Sequence, residues 1–393
     1  MGFFTVPRLT WGPGALEQLS SLDAQRVVVV VDPRVQKLVQ FARTLEELGK
    51  TGASVDVTSE VSCEPTVRSV GPVAETLRNR NPNWIVAVGG GSTIDTAKAA
   101  WVRWVRPELD LAQVTPLVEL GLRQKARLVA VPTTNGSGSD ASWLAHLWDD
   151  QGALVELASR ELEPDWSVLD PGFSESLDRP ATADGAADLL AHAVEAVESE
   201  WAHPFSNAMA FEALGLVSSS FSRLARRRED SEARAAAQYA ATLAGIAMSN
   251  SSTGNAHALA HALHATTGLP HGRLVGIVLP YVVDFNFPSA RDALVRVGSV
   301  LGPSGPPQRG TVAARIRELL APFGIPDSLS AAGVDIPAVR RDQASIVDKA
   351  MRSTSARANP RVASKDEWTD LLERVASGSA DPHARLGPGA SAR

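Results

Sequence analysis

The sequence predicts an α/β N-terminal half built on a parallel sheet, followed by an all-α C-terminal half. Three observations lead to this. Short, wholly apolar runs alternate with helical patterns up to about residue 170, as in sheets covered on both faces by crossover helices. Beyond about residue 180, alanine-rich segments of 3.6-residue period take over and no strand pattern is left. The length of 393 residues, 44% of them hydrophobic, suits two cored domains better than one.

The elements follow in order. Residues 26–32 form an apolar strand that closes on a carboxylate, Asp32. Leu38, Phe41, Leu45 and Leu48 share one face of the next helix. A strand over 53–57 and a helix over 67–80 come next, and a third strand at 84–88 runs directly into Gly89-Gly90-Gly91-Ser92. A helix spans 92–104, and a fourth strand at 128–131 is ended by Pro132. Helical segments are then read at 185–200, 205–225, 231–250, 254–267, 288–301, 310–322 and 366–376, with a surface loop at 303–310. The expected division is residues 1–178 and 179–377. The segment 378–393, rich in Gly, Ala, Ser and Pro, is expected to be disordered.

Charge and cysteine content narrow the function classes. There are 38 basic and 44 acidic residues, a net charge of −6, which argues against a nucleic-acid groove or an anionic membrane surface. The run Arg226-Arg227-Arg228 is followed at once by Glu229 and Asp230 and reads as a solvated helix end. A single cysteine, Cys63, allows no internal disulfide. No apolar run reaches the ~18 residues of a membrane span. The N-terminus has no basic region or cleavage site, so a cytoplasmic protein is expected.

Two constellations carry chemistry. The first lies at the carboxyl ends of the strands, where open α/β sheets bind ligands. Gly89-Gly90-Gly91-Ser92 lets the backbone approach a ligand and leads into a helix N-terminus, which favours a phosphate. It is neither G-x-G-x-x-G, since position 94 is Ile, nor a P-loop. Ser92 and Asp95 have the spacing of a capping box. Asp32 stands where a carboxylate commonly binds a dinucleotide ribose, and the loop from Pro132 to Asp140 is a second glycine-punctuated element. A dinucleotide is the economical ligand.

The second constellation is Asp188 with His192, one helical turn apart, and His257 with His261, a second pair at the same spacing. His264 lies on the same side, and His271 follows in a helix-opening Pro270-His271-Gly272. Carboxylate and imidazoles without thiolate suit Fe²⁺ or Zn²⁺. Such an ion acts as a Lewis acid on an alcohol or carbonyl oxygen, and a nicotinamide beside it makes hydride transfer the natural reaction.

Together these residues resemble the iron-dependent (group III) alcohol dehydrogenase family, over nearly the whole chain. Residues 89–98 resemble its GGGSxxDxxK turn, residues 132–139 its PTTxGTGSE loop, and His257-x-x-x-His261 with Pro270-His271-Gly272 its HxxxH…PHG stretch. The resemblance implies a Rossmann-like dinucleotide-binding domain and a helical metal-binding domain, in the fold shared with dehydroquinate synthase. It implies metal ligands at Asp188, His192, His257 and His271, and a proton-relaying His261. It also implies cofactor contacts at Asp32, Gly89, Gly90, Gly91, Ser92, Asp95, Thr133, Thr134 and Ser137. The expected cofactors are NAD, with NADP as the alternative disfavoured by Asp32, and Fe²⁺ or else Zn²⁺. The expected partners are a small alcohol or aldehyde and a second copy of the chain.

Departures from the family pattern concern the substrate. Asp140 replaces the usual Glu and Met248 replaces a Phe, while Ala153-Leu154-Val155-Glu156 replaces a stretch that often holds a Lys and so bears on one cofactor-phosphate contact. Trp143 and His146 are candidate pocket residues, although a core Trp and a surface His are the plainer reading. The rival functions are a redox-neutral lyase or cyclase of the dehydroquinate synthase type and a non-catalytic dinucleotide-binding module. The first wants more Lys and Arg than the single Arg273 found around 240–275.

Overall fold

The computed structural model describes residues 3–62, 64–302 and 308–378. Cys63, most of the expected 303–310 loop and nearly all of the expected disordered tail therefore lie outside the described residues. The first half is built on strands β1 (Arg8–Trp11), β2 (Arg26–Val31), β3 (Ser54–Thr58), β4 (Trp84–Gly89), β5 (Arg127–Pro132), β6 (Leu144–Trp148), β7 (Leu154–Ala158) and β8 (Trp166–Leu169). Six of them form a parallel sheet in the order β1-β8-β5-β4-β2-β3. Helices α1 (Val39–Gly49), α2 (Val70–Arg80) and α3 (Gly91–Val105) supply crossovers. Val28, Val30, Ile85 and Ala87 bury one face of the sheet, and Val27, Val29, Val86 and Val88 bury the other. This is why β2 and β4 read as unbroken apolar runs.

The four strands expected from sequence are present, and four more were not anticipated. β1 and β8 are four residues each, too short for a periodic signal, and each gains its place by pairing with the other. β6 and β7 form a separate antiparallel hairpin in which His146 faces Glu156. A turn signal marks it: Asp149 Oδ1 accepts from the Gln151 and Ala153 amides, and Gly152 takes a positive φ of 72°.

The second half contains α4 (Arg179–Glu198), α5 (Pro204–Arg226), α6 (Ser231–Ser251), α7 (Asn255–Thr267), α8 (His271–Asn286), α9 (Arg291–Leu301), α10 (Thr311–Leu320), α11 (Ile336–Arg341), α12 (Gln343–Arg352), α13 (Thr354–Ala358) and α14 (Lys365–Ser377). α4 is the central helix, buried almost throughout and packed on α5, α6 and α8. Asp178 caps it by accepting from the Ala181 amide at 2.8 Å. α8 opens at His271, as the Pro270-His271-Gly272 turn suggests, but its length is not legible from sequence, because it is buried on nearly all sides and contains Pro280, so no amphipathic period shows.

The loop after β5 joins the halves. Gly136 meets Gly185 of α4, where a Cβ on Gly136 would lie 2.7 Å from the Gly185 Cα. Gly138, at φ 60°, meets Gly245 of α6 more closely still. Asp140 is buried and accepts from Ser167 of β8 at 2.7 Å and from Thr242 of α6 at 2.9 Å. The substitution Gly138→Ala drives a methyl into backbone that cannot yield. It should destabilise the protein by about 1–3 kcal/mol, read as a lower thermal midpoint; an unchanged midpoint would show that the loop can retreat from α6.

Candidate active site

β2 and β4 are neighbours, and the connections that leave their C-terminal ends run to opposite edges of the sheet, toward β3 and β5, which creates a crevice at the switch in strand order. Asp32 and the 89–92 turn stand side by side there, and the Asp32 amide donates to the Val88 carbonyl at 3.2 Å. The expected capping box does not form: α3 starts at Gly91 behind Gly90, with no side-chain cap. Asp95 instead accepts from the Ser139 hydroxyl and, at 3.0 Å, from the His146 amide, so it braces the turn against the loop and the hairpin. The uncapped helix end suits a phosphate. The glycines also let two loops interlock. A Cβ on Gly90 would sit 3.0 Å from the Thr134 side chain, and one on Gly91 2.7 Å from Ser137. The Thr133 amide donates to Gly89 O at 3.0 Å.

Across the cleft, α4, α7 and α8 bring four side chains to one point. The Asp188 Oδ1 atom lies 3.5 Å from His257 Nε2, 3.6 Å from His271 Nε2 and 3.8 Å from His192 Nδ1. Asp188 Oδ1 and His257 Nε2 are buried and have no hydrogen-bond partner, as expected of atoms that face a cation. Ligand atoms of Asp188, His192 and His257 all lie within 4.8 Å of one another. His192 Nδ1 donates to the Gly136 carbonyl at 3.3 Å, which leaves its Nε2 with the lone pair. His271, at the start of α8, is the most exposed of the four.

The electrostatics agree with a cation site. Burial pushes His192 down to about 4 and His271 down to about 3, so both are neutral near pH 7 and offer lone pairs. Burial opposes charge on His257 as well, but Glu195 and Asp188 on either side outweigh it and raise its pKa to about 9. Asp188 is held well below the usual carboxylate range: burial works against it, and the imidazoles, His192 foremost, prevail. The space between Asp188 and His257 therefore favours positive charge. Burial also keeps His261 neutral; its ring stacks on His271 at 4.6 Å, and its Nδ1 has no partner.

A cavity of about 940 Å³ joins the two constellations. Gly91, Ser92, Asp95, Thr134 and Ser137 line it on one side, and Asp188, His192, His257, His261 and His271 on the other. Asp32, Gly89, Gly90 and Thr133 do not line this cavity. His264 lies apart from the cluster: its ring stacks on Trp148 at 4.2 Å, and its Nδ1 donates to Leu269 O. Trp143 and His146 both line the cavity, against the plainer reading of each. His146 faces His261 at 5.3 Å between ring centroids and pairs with Glu156 at 3.3 Å.

Sequence reasoning passed over Glu195 and gave no role to Lys98, the last residue of the glycine-turn motif. Glu195, on the ligand face of α4, is hydrogen-bonded to His257; its place seven residues after Asp188 was the available signal. Lys98, fully buried, donates through Nζ to the carbonyls of Ser139 at 2.7 Å, Ser142 at 2.7 Å and Leu144 at 2.9 Å. Burial lowers its pKa to about 8, while Asp95, Asp140 and Glu163 favour the charge.

Residues 7–171 match the profile of the iron-containing alcohol dehydrogenases, and residues 182–376 match the C-terminal domain of the same family. The NADPH-dependent butanol dehydrogenase of Clostridium saccharobutylicum is 31% identical over 384 residues, which cover 96% of this chain and 98% of that one. An iron-containing alcohol dehydrogenase from Thermococcus thioreducens superposes with a TM-score of 0.87 at 28% identity, over 96% of this chain and 100% of that one. A 1,3-propanediol oxidoreductase superposes at 0.88 and 26% identity, over 95% of this chain and 100% of that one. The chain belongs to the iron-containing alcohol dehydrogenase family. It is an enzyme of that kind, a metal-dependent NAD(P)(H) oxidoreductase that interconverts an alcohol and its aldehyde or ketone.

The Lys98 clamp generates a prediction. The variant Lys98→Met strands three carbonyls that a buried ammonium now satisfies, at a cost of ~1–3 kcal/mol each. Hydrogen exchange in the 139–144 segment should accelerate and the thermal midpoint fall. Unchanged exchange there would mean that the clamp does not order the loop.

Proposed function

We propose an NAD(H)-preferring dehydrogenase or aldehyde reductase with one Fe²⁺, or Zn²⁺, held by Asp188, His192, His257 and His271. The observation that carries this reading is the approach of His257 Nε2 and His271 Nε2 to one buried Asp188 oxygen, at 3.5 and 3.6 Å, with a ring nitrogen of His192 in the same cluster, in a cavity shared with the glycine turn. When bound, the ion supplies Lewis acidity for the substrate oxygen, and the dinucleotide gives or takes a hydride at nicotinamide C4. Residues 1–178 act as the cofactor-binding unit and 179–377 as the metal-binding unit.

The chain's own residues supply the rest. Gly89, Gly90, Gly91 and Ser92 seat the pyrophosphate on the α3 N-terminus, with Asp95 bracing that turn. Thr133, Thr134 and Ser137 flank the cofactor. His261, neutral and with an unpartnered Nδ1, holds or passes the proton of the reacting hydroxyl at that atom. Trp143, Leu144, Trp148 and Met248 wall the cavity and exclude water. A cytoplasmic location and a homodimer belong to the same proposal. The exposed rings of Phe4 and Phe205, 5.6 Å apart between centroids, support a self-association surface.

Asp32 decides the nucleotide preference in this reading. Its carboxylate accepts from ribose hydroxyls and repels a 2′-phosphate. Arg34 pairs with it at 3.1 Å and offsets part of that repulsion, which bears on the fact that the butanol dehydrogenase relative is named NADPH-dependent.

Three measurements test the proposal. Metal-reconstituted enzyme should oxidise NADH in step with reduction of a member of an aldehyde panel; product formed without net change in NADH would replace the reading with a lyase or cyclase. His271→Ala should lose an ion that the wild type keeps through gel filtration, and a full metal complement in the variant removes His271 from the ligand set. Asp32→Gly should shift the NADP/NAD ratio of kcat/KM on the order of tenfold, equivalent to ~1.4 kcal/mol, and an unchanged ratio removes the ribose assignment.

A further inference from the structure

α4 carries Asp188, His192 and Glu195 at positions i, i+4 and i+7, one continuous face. The first two belong to the proposed ligand set. Glu195 does not, yet its side chain has no solvent exposure at all. A carboxylate so buried must be matched by donors or by positive charge, and Glu195 has two donors. Its Oε1 accepts from the Ala256 amide at 2.7 Å, and its Oε2 accepts from His257 Nδ1.

Both donors belong to the first turn of α7. Ala256 is the second residue of that helix, so its amide has no partner within the helix, and a carboxylate is favoured there. Gly254 at the N-cap has no side chain to do this work. A Cβ on it would lie 3.0 Å from Glu195 Oε1 and 2.9 Å from Asn359 Oδ1. The helix is thus capped from outside, by Glu195 on Ala256 and by Asn359 on the Asn255 amide at 3.0 Å. The bond to His257 has a second effect. Glu195 holds a proton on Nδ1, so the nitrogen that yields its proton to an ion is Nε2, buried, unpartnered and 3.5 Å from Asp188 Oδ1.

We infer that Glu195 is the positioning residue of the metal centre: its carboxylate locks His257 in the tautomer that presents Nε2 to the ion, and the same group anchors the helix that carries both His257 and His261. This rests on the ligand set proposed above. Carboxylates that orient a metal-binding imidazole through its other nitrogen raise metal affinity about 10–100-fold. An amide in place of Glu195 has a single carbonyl oxygen and serves only one of the two donors.

The test uses the full chain with Zn²⁺ as probe. Chelator competition should show Zn²⁺ binding to Glu195→Gln weakened about 10–100-fold relative to wild type. Asn359→Ala, which removes the other cap without touching His257, should lower the thermal midpoint and leave Zn²⁺ affinity close to wild type. Equal affinity in Glu195→Gln and wild type overturns the inference. Equal losses in both variants also overturn it, because helix capping alone would then explain the effect. Nitrogen NMR of histidine-labelled wild type needs no variant: His257 should be protonated at Nδ1 and bound to Zn²⁺ through Nε2, and the reverse pattern overturns the inference. A wild type that takes up no Zn²⁺ or Fe²⁺ would instead remove the ligand set on which it rests.

Discussion

An anion buried in the interior is the constraint around which this molecule is arranged. Asp188 sits on the central, largely buried helix, and a charge there is tolerable only when positive charge or strong donors surround it. His257, whose pKa is raised, supplies part of that charge, and the unpartnered Asp188 Oδ1 and His257 Nε2 leave room for a cation among the imidazoles of α4, α7 and α8. Bringing the α8 N-terminus close enough requires that residue 272 have no side chain, since a Cβ on Gly272 would strike the Asp184 carbonyl of α4. The small residues around the site are therefore part of its electrostatics: they set how near the helices approach.

The relation between the two halves follows from the same principle of close backbone approach. Gly136 against Gly185 and Gly138 against Gly245 leave no gap between the loop after β5 and helices α4 and α6. Asp140 ties that loop to both halves, and Lys98 ties its continuation to α3. Hydride transfer needs the cofactor and the substrate held within a fraction of an ångström of a productive distance. A loop that touches the cofactor turn on one side and the ligand helices on the other is a direct way to fix that distance.

One wall of the cavity is built by the β6–β7 hairpin. The β6–β7 hairpin places His146 and Glu156 opposite His261, and Glu156 is reached from the helical half by Thr354 at 2.8 Å. Trp148 of the hairpin stacks on His264 of α7. The wall of the pocket is thus a sheet element braced by helices that come much later in the chain, and its shape depends on both.

Much of the architecture was legible in the residues alone. The apolar runs of β2, β4 and β5 and the 3.6-residue period of α4 to α7 follow from burial on two faces and on one stripe, which composition records directly. The histidine pairs at i, i+4 and the glycine turn were equally plain, because helix and turn geometry act over a few residues. β1, β8, most of the helix α8 and the segments α11 to α13 were not legible: each is short, or buried all round, and owes its conformation to partners distant in sequence. For the same reason Glu195 shows only a spacing and Lys98 has a motif position without a role, and the Ser92–Asp95 spacing forms no cap, since Asp95 accepts from Ser139 and His146 instead. The sequence by itself determined the fold class and the residue types of the site. Only the tertiary structure decided which atoms face one another, because a hydrogen bond from Glu195 to His257 or a contact of Gly138 with Gly245 exists only once helices far apart in the chain have packed.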